Sequence, residues 1–130
     1  MNLDSVEEVR SRLIFSQETA APNTHWHVPS AGHCAVAAIV MQMLLGGELV
    51  SAHVADVSHW FNRIDGYDID ITGDQFGYSI LQALPAGELY PETRVRMHIE
   101  VNEETWIRAR KLARNSNIEW KFHEALLPPA

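Results

Sequence analysis

Apolar residues recur at helical spacing near the start of the chain, where Val6, Val9, Leu13 and Ile14 are set among charged and polar neighbours. Ser5 with Glu8 three positions later fits a capping box, so a first helix is expected from Ser5 to Gln17. From Glu18 to Gly32 the pattern lapses. That stretch is rich in Pro, Asn, Thr and Ser and carries His25, Trp26 and His27, which reads as an ordered loop leading into a second helix near Gly32. Ala35 to Leu45 is a dense run of helix formers, apolar on nearly every side, and Gly46-Gly47 supplies a left-handed stop. A helix without a polar face belongs in the middle of a domain. Cys34 then falls in the first turn of a buried central helix.

After the glycines the period shortens from helical to alternating, giving candidate strands at Leu49 to Ala55, Ser58 to Ile64 and Tyr67 to Thr72. Asp65-Gly66 is a strong two-residue hairpin signal. With that loop, 64 pairs with 67, 61 with 70 and 59 with 72, so His59, Phe61, Asp70 and Thr72 share one face and His59 and Asp70 are diagonal neighbours. A three-residue loop would put Asp70 on the other face. Gly and Pro break any pattern between Phe76 and Met97. Asn102 is placed to cap a further helix through Trp106, Ala109, Leu112 and Ala113, and Ile118 to Leu127 has no clear period. The expected class is α+β, a central helix led by the cysteine and packed on a small antiparallel sheet with flanking helices.

Length and composition narrow the setting. A chain of 130 residues with 46% apolar content fits one domain over residues 1–130 and supplies a core without staples. One cysteine makes no internal disulfide, which points to a reducing compartment. No basic-then-apolar export signal opens the sequence, so the cytoplasm is the expected location. The longest apolar stretch, Ala35 to Leu45, falls short of the roughly 20 residues a membrane span needs. A net charge of −7 argues against nucleic acid as a partner. Arg108, Arg110, Lys111 and Arg114 are spaced as the solvated face of a helix.

The chemistry follows from the placements. Unpaired backbone N–H groups and the helix dipole favour a thiolate at a helix N-terminus and make it reactive near neutral pH. Those same groups, that of Cys34 included, suit an oxyanion formed by attack on a carbonyl. His59 on the neighbouring strand is the base, and Asp70 orients its ring. Asp68 shares that face and is an alternative third member. Attack on a carbonyl or carboxamide covers peptide or isopeptide hydrolysis, glutamine deamidation and amide transfer through a thioester, with a protein or peptide as the candidate substrate and no cofactor.

Gly32-His33-Cys34-Ala35-Val36, Gln42, Leu45-Gly46-Gly47-Glu48, Ser58-His59-Trp60-Phe61-Asn62-Arg63, Asp70-Ile71-Thr72 and Gln75-Phe76 resemble the uncharacterised bacterial YunG-type family. The resemblance covers about Trp26 to Phe76. That family usually reads Gly-Gln-Cys where this chain has Gly-His-Cys. More distantly, the order Cys, His-aromatic-Asn, Asp-x-Thr is similar to transglutaminase-like and papain-like thiol enzymes, in which a Cys-led helix packs on an antiparallel sheet bearing His and Asp. The likeness implies catalysis by Cys34, His59 and Asp70, with His33, Trp26, Trp60 and Asn62 as candidate substrate-binding residues. A Gln beside the cysteine would donate to the oxyanion, whereas His33 donates only in the right tautomer or when charged. The alternatives are a non-catalytic binding module using Trp26, Trp60 and Tyr67, and a metal site drawn from Cys34, His25, His27, His33 and His53, whose spacing matches no finger or HExxH pattern.

Overall fold

A computed structural model describes residues 2–122. Three α-helices, α1 (Asp4–Arg12), α2 (Cys34–Leu45) and α3 (Glu103–Asn115), accompany five strands. The strands are β1 (Glu48–Val54), β2 (Val57–Ile64), β3 (Tyr67–Asp70), β4 (Gln82–Pro85) and β5 (Arg94–Arg96). They form one antiparallel sheet in the order β4-β3-β2-β1-β5. The α+β class is as expected. No helix among the described residues is long and apolar enough to cross a membrane.

α1 is shorter than its pattern suggests. Asn2 Oδ1 accepts the Asp4 N–H at 2.8 Å, so Ser5 lies inside the first turn instead of capping it. At the other end Ser116 Oγ accepts the Ile14 N–H at 2.8 Å, a long-range bond that draws the chain out of the helix before Gln17. Gln17–Thr19 forms a separate single turn capped by Ser16.

Every residue from Val36 to Met41 is buried, as an all-apolar helix requires. α2 packs on the sheet face carrying Leu49, Ile64 and Ile69, while α1 and α3 cover its other sides with Val6, Val9, Trp106, Ala109 and Leu112. The second face of the sheet holds a smaller cluster of Val50, Ala52, Val54, Phe61 and Tyr90 with Phe76 and Leu89 against it. Parts of the segment from 72 to 93, at Phe76, Leu89 and Tyr90, therefore lie over the side that α2 leaves open. Its strand β4 and the short β5 form the two edges of the sheet. They are only four and three residues long and neither contains a buried residue, which is why neither showed an alternating signal.

The turn at Asp65-Gly66 has the two-residue form, with φ of 51° and 80°, and pairs Ile64 with Tyr67 and Asn62 with Ile69. β3 stops at Asp70, two residues before the expected end. There the carboxylate Oδ1 accepts the Thr72 N–H at 3.0 Å, folding the backbone into a turn in place of a ladder. Asn102 caps α3 as its position suggests, accepting from Thr105 N at 2.8 Å.

One charged residue departs from its expected place. Arg108 is buried, and it donates to Glu104, to Thr19 O at 3.0 Å and to Gly32 O at 3.5 Å. It thus ties α3 to the loop entering α2 and is no part of a solvated face. Ile118 is buried beside α3, and residues 123–127 of the stretch without a clear period lie outside the described residues.

Two glycines separate conformational need from steric need. Both Gly47 and Gly66 have positive φ, but a Cβ at Gly47 would stand 2.4 Å from Arg63 O, whereas Gly66 faces open space. Gly66→Ala should cost about 1 kcal/mol from backbone conformation alone. Gly47→Ala should cost clearly more, as read from urea midpoints; equal losses would contradict the close approach of the α2–β1 connection to β2.

Candidate active site

Cys34 is the first residue of α2 and is partly exposed. The first intrahelical bond runs from Ala37 N to His33 O at 2.9 Å, so the amides of Cys34, Ala35 and Val36 precede the helical ladder. What carries this helix end to β2 is Asn62, whose Nδ2 donates to Ala38 O at 2.8 Å. Ala38 lies one turn, about 6 Å, beyond Cys34 along α2. His59 precedes Asn62 by three residues, about 10 Å, along β2. Farther on, Gln42 reaches Gly47 O and Gly47 sits against Arg63, so α2 and β2 run the same way and Cys34 meets the His59 end.

His59 occupies the part of β2 that pairs with Ala52 of β1 but lies beyond the last β2–β3 pair. Its Nε2–H donates to Asp70 Oδ2 at 2.8 Å across the diagonal set by the hairpin register. Both side chains are 1% exposed. Nδ1 has no formed hydrogen bond, and the Cys34 thiol is close enough to favour the charged ring. Phe76 meets the imidazole edge-on at 4.9 Å and Phe61 stacks at 6.1 Å.

Burial pulls the basicity of His59 down, but the hydrogen bond and charge of Asp70, with the nearby Cys34 thiol, outweigh it and hold the ring at about 9. For Asp70, burial favours the neutral acid. That effect is overcome by His59, by the Tyr90 hydroxyl and by the Thr72 amide, which together keep the carboxyl below its usual range. The pair is therefore an imidazolium and a carboxylate at neutral pH, with the free edge of the ring on the thiol side.

Asp68, the alternative third member, is engaged elsewhere. Arg63 holds it through Nε at 2.6 Å and Nη2 at 3.0 Å, and Gly87 N donates to it at 2.9 Å. Tyr90 is a residue that sequence reasoning missed: its hydroxyl donates to Asp70 Oδ2 at 2.5 Å. It comes from the patternless stretch before β5, and nothing near it in sequence signals the role.

The other proposed binding residues are placed as follows. His33 is fully buried; Nδ1–H donates to Ala31 O at 3.0 Å and Nε2 accepts from Thr19 Oγ1 at 2.7 Å. Burial, aided by the Arg108 charge, lowers it to about 4, so it is neutral with neither nitrogen free for an oxyanion. Asn62 is also buried, and its contact is with α2. Trp60 lies half-buried on the α2 side of the sheet with the Arg96 guanidinium 5.5 Å from its ring, and Tyr67 is half-buried on that same side. Trp26 is exposed on the loop before α2, donating to Pro29 O at 3.2 Å.

His25 and His27 stack at 5.8 Å on that loop, and His53 is exposed on β1. No three His, Cys, Asp or Glu side chains among the described residues are grouped to hold a metal ion. A broad surface hollow lies elsewhere, along α3 at Ile107, Arg110, Arg114 and Trp120.

The family described as YunG protein matches residues 5–115. The chain is 33% identical over 78 residues to "Uncharacterized protein YunG" of Bacillus subtilis (strain 168), a match spanning 60% of this chain and 64% of that relative. It thus covers less than two thirds of the relative's length. No solved structure matches significantly.

The buried pair makes stability depend on pH in a defined direction. His59 binds its proton more tightly when folded, so its contribution is complete below about 6.5 and is lost as pH rises to about 9. Asp70 acts oppositely, its contribution being lost as pH falls through the acid range. Urea unfolding should show stability declining from pH 6.5 to 9, and Asp70→Asn should flatten that limb. A wild-type curve that rises across this window would rule out a charged His59 in the folded state.

Proposed function

We propose for this chain, which belongs to the YunG protein family, a cysteine-dependent hydrolase or acyltransferase activity on an amide, peptide or glutamine carboxamide. The observation that carries the reading is His59 itself. One ring nitrogen is fixed by Asp70 at 2.8 Å and the other lacks a hydrogen bond beside the only cysteine of the chain. A structural histidine in so dry a place would be expected to use both nitrogens, as His33 does.

A cationic imidazole favours the thiolate form of a neighbouring cysteine. In the proposed cycle the Cys34 thiolate attacks the carbonyl carbon, forming a C–S bond. The N–H groups of Cys34 and Ala35, which have no intrahelical acceptor, are the available donors to the oxyanion. Collapse breaks the C–N bond, and the imidazolium gives its proton to the departing amine, leaving a thioester. Water or an acceptor amine then loses a proton to neutral His59 as it attacks that thioester, and the thiolate and imidazolium are regenerated. Asp70 stays ionised throughout and fixes the tautomer.

Chain order and element type support a relation to the transglutaminase-like and papain-like thiol enzymes: a cysteine opening a helix, then histidine and aspartate on adjacent antiparallel strands. With His33 enclosed, substrate contacts fall to the exposed side of Cys34 and to Trp26 on the preceding loop.

Iodoacetamide labelling across pH, with the adduct located by mass spectrometry, tests the reading. Cys34 should be alkylated well below pH 8.5, the ordinary range of a free thiol. His59→Ala should slow the reaction at pH 7 by at least about tenfold. Labelling confined to pH above 8.5 in the wild type would remove the basis for catalysis.

A further inference from the structure

Tyr90 crosses over the second face of the sheet from the connection between β4 and β5 and is almost wholly buried, at 7% exposure. Its ring meets Phe61 at 5.2 Å and stands edge-on to His59 at 5.7 Å. A phenylalanine would fill the same space, so packing alone does not account for the hydroxyl. A buried hydroxyl is costly unless it is bonded, and this one donates at 2.5 Å to Oδ2 of Asp70, the same oxygen that accepts the His59 proton. Oδ1 of that carboxylate is held by the Thr72 amide. Asp70 is thus gripped on both oxygens, and His59 shares one of them with Tyr90.

We infer that Tyr90 is a positioning residue of this site: its hydroxyl locks the Asp70 carboxylate against His59 and, by sharing Oδ2, limits how strongly that carboxylate holds the imidazole proton. The inference rests on the thiol-enzyme reading for its importance, but the interaction itself is independent of any substrate. An acid–base catalyst must release its proton as readily as it takes one, and a lone buried carboxylate would hold the imidazolium too firmly. A second donor draws charge from Oδ2 and loosens that hold without freeing the ring to turn. The titratable groups facing His59 are Asp70 from β3, Cys34 from α2 and Tyr90, with Tyr78 behind Tyr90 at 6.4 Å between rings.

The test is the titration of His59 followed by NMR of its ring in the full chain, comparing wild type with Tyr90→Phe. Removing only the oxygen should return charge to Asp70 and raise the His59 midpoint by roughly half a pH unit or more. Asp70→Asn should lower it, which verifies that the probe reports the pair. An unchanged or lowered midpoint in Tyr90→Phe would overturn the inference, since loss of packing alone has no reason to strengthen the proton's hold. If Tyr90→Phe does not fold, the wild type still decides the matter. The Tyr90 hydroxyl proton should appear as a low-field, exchange-protected resonance that moves as His59 titrates, and its absence or indifference to that titration would equally overturn the role. Iodoacetamide labelling of Cys34 separates this outcome from the fate of the proposed activity: an activated thiol with no Tyr90 effect removes only the positioning role. A raised midpoint with an inert thiol keeps the Tyr90–Asp70–His59 coupling and removes the catalysis.

Discussion

The ion pair between His59 and Asp70 is the interaction around which the site is built, because two charges at 1% exposure must either find each other or stay neutral. Taking both from water costs several kcal/mol, and attraction offsets this only if geometry is good and the remaining hydrogen-bonding capacity is met. For Asp70 it is met, by the Thr72 amide and the Tyr90 hydroxyl. For His59 it is not, since Nδ1 remains without a formed bond. The carboxylate is thus fully engaged while the imidazole keeps one edge without a formed bond beside Cys34.

The pair depends in turn on a short turn and a carboxamide. Asp65-Gly66 sets the β2–β3 register, and a shift of one residue would carry Asp70 to the α2 side of the sheet. Asn62, on that α2 side, bonds the Ala38 carbonyl and so fixes how far α2 can slide along β2. The thiol comes from α2 on one face of the sheet and the imidazole from the other face of β2, near the end of β2 that β3 no longer flanks. Arg108 adds a third restraint by holding the Thr19 and Gly32 carbonyls of the segment that leads to Cys34. Together these contacts fix the start of α2 relative to β2.

His33 and Cys34 are neighbours in sequence with opposite surroundings. His33 is enclosed with both nitrogens committed to Thr19 and Ala31, which fastens the loop to the helix start. His33 thus supports the chain leading to Cys34. Burial decides this, because the last residue before a helix can point its side chain back under the loop while the next one points out.

The sequence by itself determined the local features whose signals are short-range. All-round apolarity marked α2 as central, a two-residue Asp-Gly turn set which of His59, Asp68 and Asp70 share a face, and Asn102 marked the start of α3. It also placed Cys34 at the head of its helix. The end of α1 depended on Ser116 and the burial of Arg108 on the loop before α2, contacts from a hundred and roughly ninety positions away in the chain. The two edge strands had no pattern to read because edges bury little. The choice between Asp68 and Asp70 lay beyond periodicity, since both occupy the same face; Arg63 and Gly87 claim the first, leaving the second for His59. Tyr90 entered only through tertiary structure. A side chain that acts by bonding another across the sheet leaves no period, spacing or turn in its own neighbourhood, and the fold alone brings it to its partner.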